Sequence, residues 1–287
     1  MRENGGSLKQ LVSSVPGGMK VARAVRAAVD PNIRMLQTLD IFAPNSAGSS
    51  GVRLDLAMRD ANNVFPVLEK LAETLGHTLI PTTLAADFPK TDAERDASER
   101  LAVLFEKHGS DKACTHDYYN VYGTVIERCG GIKSLLEVGL GTNNTDVVSN
   151  MGSRGRPGAS LRAFREHQPA ADIYGADIDR RILFREERIE TYFVDQMDLA
   201  SFDELGKNLP AELDIVIDDG LHSPAANLAV LRFGLERVRV GGWVIVEDIA
   251  PVAAPVWRFV ATLLGPKFEC QLIEAKVAHM FLVNRVA

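Results

Sequence analysis

The chain has 287 residues, 46% hydrophobic and 24% charged, with a formal net charge of −6 and a pI of about 5.6. This length and composition suit one large globular domain, or one domain with an appendage. The acidic balance argues against a nucleic-acid or membrane-surface partner, since either needs a basic face. No run approaches the roughly 18 apolar residues of a membrane span, and the N-terminus lacks the apolar core of a signal peptide. Cys114, Cys129 and Cys270 are scattered without CxxC spacing. They read as reduced, buried thiols of a cytoplasmic protein.

In chain order, residues 1–52 carry the weakest pattern. Gly5-Gly6-Ser7 and Gly17-Gly18 flank an amphipathic stretch, and Lys20, Arg23 and Arg26 then fall at helical spacing, as on a solvated helix face. Residues 45–51 read as a loop, and 53–76 as a helix interrupted by Pro66. Thr91 and Glu94 form a capping box opening a helix to about Lys107, with Gly109 at its C-terminal cap. Strands and helices then alternate. Strands are expected at 133–138, 172–177, 191–195, 213–218 and 243–247, helices from Ser160 and over 224–238, and a closing strand pair at 268–275 and 278–284. Such alternation predicts an α/β fold with a mostly parallel sheet covered on both faces. The boundary is expected at residue 90: an N-terminal helical extension over 1–90, then the sheet domain over 91–287. The extension has amphipathic helices but no evident core of its own, so acceptor selection and homo-oligomer formation are expected of it.

In an open α/β sheet, ligands bind at the carboxyl ends of the strands. Strand four ends in Asp218-Asp219-Gly220-Leu221-His222, and strand five in Glu247-Asp248. Asp219, His222, Glu247 and Asp248 should therefore gather at one mouth. Three carboxylates and an imidazole point to a divalent metal with a base beside it. Asp218 is expected to orient this loop or approach a cofactor. Strand one ends in Glu137-Val138-Gly139-Leu140-Gly141-Thr142-Asn143, a glycine loop over which a ligand can approach the backbone closely. A dinucleotide fingerprint would require glycine where Asn144 stands. Asp177, at the end of strand two, can accept from both hydroxyls of a ribose, and Asp195-Gln196, after strand three, suits an adenine edge. Residues 145–159 make a long connection beside the glycine loop and read as a lid or substrate loop, with Arg154 and Arg156 within it.

Residues 130–287 resemble class I S-adenosylmethionine methyltransferases. Asp111-Lys112, then His116, Tyr118 and Tyr122, the Gly-Leu-Gly loop, and the runs ending at His222 and Asp248 are similar to the metal-dependent sugar O-methyltransferases of macrolide biosynthesis, the mycinamicin and macrocin type. The resemblance implies a Rossmann-like, seven-stranded methyltransferase sheet and two cofactors, S-adenosylmethionine and Mg2+. It further implies that Asp219, Glu247 and Asp248 bind the metal, that His222 is the general base, and that His116 and Tyr118 help close the cofactor pocket. Leu221 stands where many relatives have Ser.

The chemistry is consistent with this resemblance. A sugar hydroxyl is a weak acid, and a bound metal lowers its pKa and orients it. His222 directly precedes Ser223-Pro224, a good N-cap and N1 pair, and a helix start favours neutral imidazole. The expected function is Mg-dependent O-methylation of a sugar hydroxyl in a natural-product glycoside or polysaccharide. The alternatives are a catechol or other vicinal diol as acceptor, and a non-catalytic nucleotide-binding module.

Overall fold

The computed structural model describes residues 30–287, so the glycine pairs and basic helix face expected before Ala28 lie outside the described residues. The described residues divide into two compact units, one before and one after the break at residue 71. In the first, Asp30 caps helix α1 (Pro31–Thr38) through the Asn32 amide and accepts a 2.6 Å hydrogen bond from Ser50, the first residue of helix α2 (Ser50–Thr74). The helix runs unbroken through Pro66, where an interruption was expected. Proline removes the amide that would bond the Asn62 carbonyl; Asn62 is exposed, so water can serve that carbonyl.

The second unit is built on a nine-stranded sheet. Its strands are β1 (Thr82–Leu84), β2 (Ser134–Val138), β3 (Asp172–Asp177), β4 (Arg185–Glu186), β5 (Ile189–Phe193), β6 (Leu213–Asp218), β7 (Val238–Ile249), β8 (Phe268–Glu274) and β9 (His279–Arg285). They lie in the order β1-β8-β9-β7-β6-β2-β3-β5-β4. The strands β5, β3, β2, β6 and β7 run parallel, while β9 is antiparallel to both its neighbours. Together with β8, these six form the expected seven-stranded core. The short strands β1 and β4 extend its two edges. Because β1 pairs with β8, residues 72–90 belong with the sheet, and the division falls at residue 71 rather than 90.

Helix α3 (Asp92–His108) starts at the expected Thr91–Glu94 capping box and ends at Gly109, whose φ of +80° suits glycine. The short helix α4 (Asp111–Cys114) and helix α5 (Tyr119–Arg128) follow before the sheet. Helices α6 (Ala159–His167), α7 (Leu199–Gly206), α8 (Pro224–Arg237) and α9 (Ala254–Leu263) connect strands. Phe105 of α3, Tyr122 of α5 and Phe164 of α6 are fully buried and meet edge to face, with centroids 5.3–6.3 Å apart. Strand β2 is buried along its whole length, as a central parallel strand must be.

Asp214 fastens the entry to the central strands. Its carboxylate accepts from the Lys133 and Ser134 amides at 2.7 and 2.9 Å and pairs with Arg239. Burial alone would raise its pKa, but these donors outweigh burial and hold it below the usual range. Asp214→Ala should therefore cost about 1–3 kcal/mol in chemical denaturation, because it orphans buried amides. With the folded pKa depressed, the carboxylate's contribution is complete above the unfolded value of about 3.9 and is lost as pH falls through the lower folded value. The gap between wild type and variant should stay constant above about pH 5 and shrink in stronger acid.

Candidate active site

Registry brings the decisive strand ends together: Val138 of β2 pairs with Asp218 of β6, and Asp218 with Val246 of β7. The chain leaving β6 then crosses directly over the glycine loop. The Asp219 amide donates to the Val138 carbonyl at 2.8 Å. A Cβ on Gly139, where φ is +101°, would lie 1.9 Å from the Asp219 carbonyl oxygen. Glycine here is a requirement of that crossing.

Beside the crossing lies a cleft of about 280 Å³. Of the expected cofactor residues, Gly139, Gly141, Asp177, Asp195 and Gln196 line it. Thr142, Ile178 and Met197 add to the lining, and Val147, Val148 and Ser149 bring in the long connection after β2. Ser149 donates to the Gly220 carbonyl at 2.8 Å, tying that connection to the acidic loop. Arg154 and Arg156 are exposed and outside the lining.

Asp177 already accepts from the Leu140 amide at 2.7 Å and the Asp179 amide at 2.8 Å, one on each oxygen. Burial raises its pKa. Gln196, expected to read a base edge, has its carboxamide engaged at both ends: it donates to Asp218 and accepts from the Leu221 amide, each at 2.8 Å. Its side chain fastens two loops together. Asn143 is exposed and outside the lining. Glu137 and Asp218 are completely buried and do not line the cleft. His116 and Tyr118 do not line it either, and both stand against Asp248.

Next to the cleft is the acidic cluster. Asp219, His222 and Asp248 each bring a ligand-type atom within 4.8 Å of the others. His222 Nε2 lies 3.9 Å from Asp219 Oδ1 and 3.6 Å from Asp248 Oδ2. Both His222 and Asp248 have φ of +53°, which is strained for residues with a Cβ. Asp248 is fixed by the Tyr118 hydroxyl, which donates to Oδ1 at 2.5 Å. His116 stacks on Tyr118, its Nδ1 3.6 Å from the same oxygen.

Glu247, expected as a third metal ligand, lies outside this group. Its Oε2 accepts from Lys112 at 2.6 Å and its Oε1 from the Tyr122 hydroxyl. The Lys112 ammonium, 2% exposed, also donates to Asp219 Oδ2 at 2.6 Å and sits 3.2 Å from Glu137. Burial alone would lower its pKa, but the charges of Asp219, Glu247 and Glu137 hold it well above the usual lysine value. Burial pushes Glu137 up to about 7, even beside this cation and the Ser160 hydroxyl that donates to it. Asp219 is held below the usual range: burial opposes ionisation, but Lys112 and His222 outweigh it. Sequence reasoning noted Lys112 without giving it a role, and it missed the Tyr122–Glu247 bond and the Asp179 hub bonding Thr142, Asn144 and Arg181. A second acid directly after the Asp177-Ile178 step was the available signal for Asp179.

No family model matches the chain. It is 32% identical over 160 residues to the 8-demethyl-8-alpha-L-rhamnosyl tetracenomycin-C 2'-O-methyltransferase of Streptomyces olivaceus, a match covering 55% of this chain and 40% of that enzyme. It is 36% identical over 92 residues to the mycinamicin VI 2''-O-methyltransferase of Micromonospora griseorubida, covering 32% of this chain and 23% of the relative. The chain thus spans less than half the length of these curated relatives. The MycE methyltransferase solved with Mg, SAH and mycinamycin VI matches 65% of this chain and 54% of its own, with a TM-score of 0.51 and 22% identity. The sheet has the class I methyltransferase fold. The recognised resemblance to macrolide-type sugar O-methyltransferases holds at the level of sequence over the matched part.

The crossing at Gly139 can be checked directly. Gly139→Ala must displace the Asp219 backbone and should cost about 1–3 kcal/mol of overpacking in urea denaturation on top of its own left-handed strain. Gly130→Ala, also at positive φ but with no atom near the added methyl, should lose only the roughly 1–2 kcal/mol of left-handed strain. Equal losses at the two positions would show that the crossing is not tight.

Proposed function

We propose that the chain is a divalent-cation-dependent O-methyltransferase, moving the methyl group of S-adenosylmethionine to a sugar hydroxyl of a glycoside or polysaccharide. The observation that carries this reading is the double position of Asp219. It lines the glycine-floored cleft and also belongs to the Asp219–His222–Asp248 group, so a cofactor and a metal-held acceptor would meet at one residue. The relatives named as O-methyltransferases of a rhamnosyl tetracenomycin and of mycinamicin VI support the acceptor class.

The residues fit both groups. For the cofactor, Gly139 and Gly141 permit close approach along the cleft floor. Each oxygen of Asp177 retains a lone pair for a ribose hydroxyl after accepting its amide. For the metal, Asp219 and Asp248 supply the hard oxygens that magnesium prefers. When bound, such a cation lowers the pKa of an acceptor hydroxyl and orients it.

The transfer is an in-line displacement: the acceptor oxygen forms a bond to the methyl carbon as the carbon–sulfur bond breaks. His222 Nε2 faces the space between the two carboxylates and takes the proton from the hydroxyl. The products are S-adenosylhomocysteine and the methyl ether. Val148, Ile178 and Met197 present exposed apolar surface along the cleft, which a bound cofactor would cover and so keep water from its sulfonium. The Ser149–Gly220 bond holds the connection over it.

Calorimetry should show S-adenosylhomocysteine binding, and turnover on a panel of rhamnosyl glycosides should vanish on chelation while that binding persists. Activity undiminished in excess EDTA would remove the metal, and binding without turnover on any sugar or catechol would favour a nucleotide-binding module. Methylation of catechols alone would reassign the acceptor. For the base, His222→Ala should lower the rate about 10²–10⁴-fold with nucleotide and cation still bound. His222→Gln should not restore it, because an amide cannot take the proton. Near wild-type turnover in His222→Ala with chemistry rate-limiting would leave this histidine a structural role.

A further inference from the structure

Glu247 and Asp248 are neighbours on β7, yet their carboxylates go to opposite environments. Asp248 joins His222 and Asp219 at the open side. Glu247, 1% exposed, points inward, and each of its oxygens already has a donor, Lys112 on one and Tyr122 on the other. Asp219 is shared between the two environments. Its Oδ2 is held by Lys112 and its Oδ1 is turned towards His222.

We infer that Lys112 is a positioning residue of the proposed cation seat: its ammonium fixes one oxygen of Asp219, so that the other faces the seat, and it retains Glu247 as its own counter-ion, outside the metal's ligand set. This inference rests on the divalent-cation reading above. A lysine ammonium has three N–H donors, and three carboxylates, Asp219, Glu247 and Glu137, surround this one within 3.2 Å. For Glu247 to ligate a metal it would have to abandon both Lys112 and Tyr122. That would leave the buried Tyr122 hydroxyl and one N–H of the buried ammonium without their acceptor, the costly outcome for buried donors. Asp248 faces no such conflict, since the Tyr118 hydroxyl holds Oδ1 and leaves Oδ2 directed to the seat. The seat is thus built from Asp219 and Asp248, with Lys112 beneath as a resident cation. Lys112 acts through Asp219 and touches no reacting atom.

Mn2+ binding, followed by electron paramagnetic resonance, provides a readout independent of turnover. It would be measured on wild type, Asp248→Asn, Glu247→Gln, Lys112→Met and the Lys112→Met/Glu247→Gln pair, with S-adenosylhomocysteine affinity as a check on folding. Asp248→Asn should lose the most Mn2+ affinity. Lys112→Met should lose about 10–100-fold, the usual effect of removing a group that orients a ligand. Glu247→Gln should lose less than Lys112→Met, because Gln still accepts from the ammonium. The paired variant removes cation and counter-ion together and should be more thermally stable than Lys112→Met alone.

Loss in Glu247→Gln as severe as in Asp248→Asn would make Glu247 a ligand and overturn the inference. Mn2+ binding by Lys112→Met as tight as wild type, or tighter, would overturn it too, showing that the ammonium merely fills the seat. Should Lys112→Met not fold, Glu247→Gln and the paired variant decide alone. A wild-type protein that binds S-adenosylhomocysteine but no Mn2+ removes the metal reading itself, whereas normal wild-type Mn2+ binding with a failed Glu247 arm removes only the inference.

Discussion

The architecture of the site turns on one fully buried ammonium. Lys112 comes from the four-residue helix α4, while its partners come from β2, from the loop after β6 and from β7. Tyr122 of α5 and Ser160 of α6 complete the cluster by donating to Glu247 and Glu137. Removing ions from water costs several kcal/mol each, and mutual attraction offsets this only where geometry is held and every lone pair is served. One cation among three carboxylates leaves a negative excess, which is why burial still pushes Glu137 up to about 7. Burial likewise raises Glu247 well above the usual range, reinforced by the nearby charge of Asp219. A cluster of this kind requires elements that do not move, and the buried contacts of Phe105, Tyr122 and Phe164 provide that rigidity.

Backbone strain is concentrated at the same place. Two of the non-glycine residues at positive φ are His222 and Asp248, the residues that face each other across the proposed seat. Such conformations cost of order 1–3 kcal/mol and persist only where the surroundings over-determine them. Here the surroundings are visible: Tyr118 holds the Asp248 carboxylate, and the Ser223-Pro224 start of α8 fixes the chain directly after His222. The strain turns two side chains into a common space that a regular strand end would leave divergent.

Much of this was legible in the sequence. Apolar runs of strand length ending in acids, with helix-length segments between, placed the core strands and the mouth they share. Helix α3 was legible from both ends, because capping is local chemistry that Thr91, Glu94 and Gly109 state directly. The short edge strands β1 and β4 were not, since two or three residues carry no periodicity. Nor was the course of α2 through Pro66, which depends on whether one carbonyl faces water. At the site, residue type located the acceptors but not their use. Whether Asp177 is free or already bonded to backbone amides depends on how the glycine loop folds back. Whether Glu247 faces the mouth or the interior depends on a lysine 135 positions earlier in the chain. Such pairings arise from tertiary structure and leave no local pattern.

The engagement of Gln196 alters what the cleft and the acidic loop are to each other. Asp218, fully buried at the end of β6, accepts from Gln196 and from Asn227 of α8, and burial still pushes it up to about 6. The other end of the Gln196 carboxamide holds the Leu221 amide, one residue before His222. The fit is close: a Cβ on Gly220 would lie 2.0 Å from the Gln196 side-chain oxygen. One amide therefore links the floor of the cleft to the backbone that carries Asp219 and His222. Ser149 adds a second link from the overlying connection to the Gly220 carbonyl. The cleft and the acidic group thus share one rigid frame, and a group seated in the cleft sits at a fixed distance from the Asp219 and His222 backbone. The in-line transfer proposed for this chain needs that geometry, because the donor and acceptor atoms must be aligned before any proton moves.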